Sequence, residues 1–74
     1  MTNNDIIRRI RYTFDYDDSE MINLFDLGGS NVSRVNVSKW LKKDSDEEFE
    51  EISDEKLAVY LNGLIISKRG KISD

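Results

Sequence analysis

The chain has 74 residues, enough for one domain, and a chain near this size covers only roughly 60% of its unfolded surface. It contains no cysteine and no histidine, which excludes a disulfide framework, thiolate metal sites and the usual thiol or imidazole catalysis. The net charge of −4 hides three unlike parts, with +1 on residues 1–43, −8 on residues 44–55 and +3 on residues 56–74.

No apolar run approaches the roughly 18 residues of a membrane span. The opening Met1–Asp5 is polar and unlike a signal peptide. A cytoplasmic protein with no membrane partner is expected.

Proline is absent, so glycines and capping residues must punctuate the chain. Thr2 with Asp5 three residues on resembles a capping box, with Asp in place of the preferred Glu. Ile6, Ile7, Ile10 and Phe14 then share one helical arc, which predicts a first helix over residues 3–14. Asp17 and Glu20 repeat the capping pattern, and Met21, Ile22 and Phe25 give a second helix an inward face. Gly28-Gly29 stops it, supplying the left-handed backbone of a helix end.

Ser33 caps the third helix, with Val32 and Val37 placed as a hydrophobic staple. Val37, Trp40 and Leu41 form its apolar face, and the helix is predicted from Arg34 to about Lys43. The acidic segment follows, read as a solvated loop over 44–53 with Phe49 and Ile52 as anchors. Ser53 caps the fourth helix, and Leu57, Tyr60, Leu61, Leu64 and Ile65 fall on one face. Lys68 and Arg69 suit its C-terminal dipole, and Gly70 ends it. The prediction is all-α, a compact bundle of four short helices with a helix–turn–helix-like middle pair. Residues 1–70 form the single domain, and 71–74 are a tail or the start of a linker.

Val59, Gly63 and Ile66 make a second apolar strip on the fourth helix, roughly opposite Leu57, Leu61 and Leu64. Such a helix is either central in its domain or carries an interface. A glycine inside a helix costs about 1 kcal/mol against alanine, so Gly63 implies a close approach by another backbone. The strip is a candidate contact for a protein partner or for a second copy in a weak homodimer. Arg8, Arg11 and Tyr12 on the first helix are the other candidates, being residue types enriched at interface hot spots.

Catalytic and metal chemistry find little support. Ser38 and Lys42 share a helix face, but nothing beside them suggests an oxyanion hole. Aligned to a calcium loop, Asp44, Asp46, Glu48 and Glu55 take ligand positions, while Phe49 stands where glycine is needed and Glu51 where an apolar residue is usual. No cofactor, metal or catalytic residue is therefore expected. Nucleic-acid binding through Arg34, Lys39, Lys42 and Lys43 is the alternative function. The long turn before Val37 and the acidic run after Lys43 oppose it.

Four segments together resemble the YehS-like family of uncharacterised bacterial proteins. They are Thr2–Tyr12, Met21–Phe25, Val37–Lys43 and Leu61–Ile66, in order and at similar spacing. The resemblance implies no catalytic or ligand residues. It implies a unit that family members usually carry in two tandem copies, of which this chain holds one, either as a piece of a longer protein or as a single-copy member. The expected function is a non-enzymatic helical module for protein interaction or regulation.

Overall fold

The computed structural model describes residues 1–70, and the tail expected at 71–74 lies outside the described residues. Its helices are α1 (Asn3–Phe14), α2 (Asp18–Leu27), α3 (Arg34–Leu41) and α4 (Asp54–Arg69), and the described residues form no strand. Each begins where a side chain satisfies the free amides of a first turn. Thr2 and Asp5 exchange backbone-to-side-chain bonds of 3.1 Å in both directions. Asp17 and Glu20 do the same at 2.8 and 3.1 Å. Ser33 forms a third box, in which Asn36 takes the position usually held by Glu or Gln, and Ser53 caps α4.

The stops are equally local. Asp15 adopts the left-handed conformation at φ 55°, which a short polar side chain tolerates, and turns the chain sharply into Tyr16. At the end of α2 the left-handed residue is Gly29 (φ 102°), while Gly28 stays right-handed. Gly28 is needed for another reason. A Cβ there would lie 2.0 Å from the Val59 carbonyl oxygen.

That contact belongs to the crossing of α2 and α4, where Gly63 makes the reciprocal approach. A Cβ on Gly63 would sit 1.7 Å from the Leu24 carbonyl oxygen. The two backbones therefore touch, and one side of α4 lies against α2. This corrects the expectation that Val59, Gly63 and Ile66 face a partner. Gly63 is buried against α2, Val59 packs on the core, and Ile66 is half-buried. The Leu57, Leu61 and Leu64 side is half-buried too, so both apolar sides of α4 are covered within one chain. Ile65, expected inward, lies 43% exposed.

The core itself is Ile7, Met21, Leu24, Phe25, Val37, Trp40, Ile52 and Tyr60. Phe25 is its hub, with ring centroids 5.2 Å from Trp40 and 5.0 Å from Tyr60, tilted rather than face to face. The Tyr60 hydroxyl donates to the Met21 sulfur at 3.3 Å. Burial pushes the Tyr60 phenol well above its ordinary range, and neighbouring Tyr16 raises it further against the opposing pull of Arg11.

α1 joins this core mainly through Ile7, with Ile10 packed beside it. Asn3 at its start donates to Asp54 at the start of α4, and Phe14 at its end lies beneath Lys68 at the end of α4. The first and last helices thus run parallel.

Candidate interaction surfaces

The acidic segment is fixed to the bundle by polar side chains from α1. Asn4 is 1% exposed, and its amide donates to the carbonyls of Trp40 and Glu50, both at 2.9 Å, while its oxygen accepts from the Ile52 amide at 3.1 Å. One side chain thereby joins the end of α3 to residues 50–52, the stretch that leads into α4. Asn3 adds a bond to the Ile52 carbonyl at 3.2 Å. A backbone bond from Glu50 to the Lys39 carbonyl closes the same corner. Nothing in the local sequence marks Asn4 as buried, because its partners lie 36 to 48 residues away.

Arg8 belongs to this anchoring. Its guanidinium bonds Asp5 at 3.0 Å, Asp44 at 3.2 Å and the Lys42 carbonyl, and it stands 5.8 Å from the Phe49 ring centroid. The Asp5 carboxyl is held below its ordinary value of 3.8, first by the Thr2 backbone N–H, against the opposing effect of desolvation, and then by the Thr2 hydroxyl and the charges of Arg8 and Arg9. Arg11 is half-buried and pairs with Asp18 across the α1–α2 turn at 3.7 Å. Of the three α1 residues expected at an interface, Arg8 and Arg11 are therefore occupied inside the chain. Tyr12 is not, and at 88% it is the most exposed large apolar side chain among the described residues.

The basic residues of the middle pair are also dispersed. α3 ends at Leu41, two residues short of the expected Lys43, because Lys42 turns to an extended conformation (φ −70°, ψ 162°). Only Arg34 and Lys39 then stand on the helix. Arg34 bends back to α2, bonding the Ser19 hydroxyl at 3.1 Å and approaching Asp18 at 3.7 Å. Lys42 borders a shallow depression with Asp46, Glu47 and Glu48, so its field is opposed where it stands. Val37 and Trp40 face the core, and Val35 is 61% exposed on the outer side. Lys42 lies outside the helix, so the i, i+4 pairing of Ser38 with it, weighed as a dyad, is not a helical one.

Two of the carboxylates aligned as calcium ligands, Asp44 and Asp46, are bonded within the chain. Asp44 pairs with Arg8, Asp46 accepts from the Glu48 amide at 2.8 Å, and Glu55 lies in the first turn of α4. Among the described residues no group of three or more acidic residues is placed to hold a metal ion. No helix among them is long and apolar enough to cross a membrane.

One further cluster escaped sequence reading. At the shared C-terminal end of α1 and α4, Phe14 and Tyr16 stack with centroids 5.3 Å apart. The Lys68 ammonium lies 4.5 Å from the first ring and 5.8 Å from the second. The aromatic pair straddling the α1 stop was the available signal. Phe14 instead reads as a core residue because it continues the Ile6–Ile10 arc.

These surfaces and the parallel outer helices define a small all-helical module with a charged, pinned loop at one end. A family model described as "Protein of unknown function (DUF1456)" matches residues 3–70, and the chain belongs to that family. It is similar to the "Uncharacterized protein YehS" of Escherichia coli (strain K12), at 35% identity over 71 residues. The match covers 96% of this chain and 46% of that relative, so the chain spans less than half the relative's length. No solved structure matches the chain.

Proposed function

We propose that this chain is a non-enzymatic module that binds a second protein through the outer face of α1. Tyr12 is the observation that carries the reading. A tyrosine offers a large, rigid contact area at low entropic cost, and this one stands almost wholly in solvent. Exposed Arg9 lies one turn before it. The helix beneath is held by its capping box, by Asn4 and by the clamps on Arg8 and Arg11, so little ordering remains to oppose binding. A cytoplasmic setting goes with this reading.

The test is affinity capture from a lysate of the source cells, with and without nuclease, using the wild-type chain and Tyr12→Ala. The expected result is a partner retained after nuclease treatment and reduced at least about tenfold by the substitution, as for an interface hot spot. Capture unaffected by Tyr12→Ala overturns the reading. Capture abolished by nuclease and by Lys39→Glu would instead favour a nucleic-acid-binding role for Arg34, Lys39, Lys42 and Lys43.

A further inference from the structure

The parallel course of α1 and α4 gives the molecule two unlike ends. At one end the N-termini of both helices meet the Asp44–Glu55 segment, with its net charge of −8. The other end lies about 24 Å away along the 16 residues of α4. There the Asp15 turn brings Tyr16 onto Phe14, and Lys68 lies over both rings. Phe14 is 41% exposed, and Ile65, one turn before Lys68, is 43% exposed. Arg69 is exposed beside them.

We propose that this cationic, aromatic end binds the acidic loop of a second copy of the chain, head to tail. The argument is charge complementarity within one sequence. Lys68 and Arg69 face outward at one end, and Asp46, Glu47, Glu48, Glu50 and Glu51 do so at the other. Both surfaces are preorganised. Ring stacking fixes the first, and Asn4 and Arg8 fix the backbone that presents the second.

The affinity is low, because exposed ion pairs contribute little individually and salt screens them. The contact is heterologous and does not close with two copies, so association grows with concentration rather than stopping at a dimer. It uses a different face from Tyr12 and stands independently of the reading built on that residue.

Sedimentation velocity tests it, from about 10 µM to about 1 mM chain, in about 20 mM and about 500 mM NaCl. The expected result is a weight-average sedimentation coefficient that rises with concentration in low salt and stays flat in high salt. Lys68→Glu with Arg69→Glu removes the rise, and so does Glu47→Lys with Glu48→Lys. These positions are exposed, and circular dichroism verifies that each variant keeps its fold. An equal mixture of the two variants regains pairing, because the intact acidic loop of the first meets the intact cationic end of the second. A wild-type chain that stays monomeric throughout overturns the proposal, as does association that survives both double substitutions. Association that survives them but is lost in Tyr12→Ala overturns it while leaving the α1 surface in place.

Discussion

The α2–α4 crossing and the 42–53 loop are held by opposite means. At the crossing two backbones meet with no side chain between them, and Gly28 and Gly63 contribute by having nothing to add. At the loop the backbone runs without helical bonds of its own, and Asn3, Asn4 and Arg8 reach across to complete it. The first contact tolerates no added volume. The second tolerates no loss of a donor or acceptor, because a buried polar group left unpaired costs more than the bond itself contributes.

Substitutions that exploit this difference should rank accordingly. Gly63→Val drives two methyl groups toward the Leu24 carbonyl. Ordinary overpacking costs about 1–3 kcal/mol with side chains free to yield, and here the obstacle is backbone. A domain of this size is stable by only about 4–10 kcal/mol, so loss of a cooperative thermal transition by circular dichroism is expected. Survival of the transition would mean that the helices separate easily.

Asn4→Ala comes next. It leaves the Trp40 and Glu50 carbonyls and the Ile52 amide without their partner, for a loss of about 3 kcal/mol in urea unfolding. A loss below about 1 kcal/mol would show that water replaces the side chain freely. Arg8→Gln should cost about 1 kcal/mol, since its partners are partly solvated, and the loss should shrink in high salt.

Acid sharpens the same contrast. The folded state depresses the Asp5 carboxyl, so its contribution is present above the ordinary value of 3.8 and disappears as pH falls through the lower folded value. Asp5→Asn should flatten the decline of stability in that window, measured by urea unfolding at successive pH values. The smallest effect is expected at Tyr12→Ala, within about 0.5 kcal/mol of wild type, because the side chain touches little. A larger loss would place Tyr12 in the folded scaffold.

What could be read from the sequence follows the range of the interactions. Thr2, Asp17, Ser33 and Ser53 announce the helix starts because a cap bonds within three residues. α1 occupies the expected residues 3–14 for that reason. Asn36 was missed as a box partner because it offers an uncharged amide where Asp5 and Glu20 offer a carboxylate. The packing of α4 needed more than local range. Its two apolar sides were visible, but Gly63 could have met any backbone, and only the approach of Leu24 decides which. The loop was least legible. Eight carboxylates in twelve residues resemble a solvated run, and the asparagine that organises them sits in another helix. The ion pairs of Arg8 with Asp44 and of Arg11 with Asp18 were hidden in the sequence because these partners lie across a loop or a turn.

Asn4 also sets an order of events during synthesis. Asn4 is satisfied only by residues 40, 50 and 52, so α1 leaves the ribosome with this first-turn side-chain amide unanswered. Docking of the first helix must wait until the beginning of the last has been translated. The α2–α4 crossing waits longer still, since Gly63 must be made before it can meet Leu24.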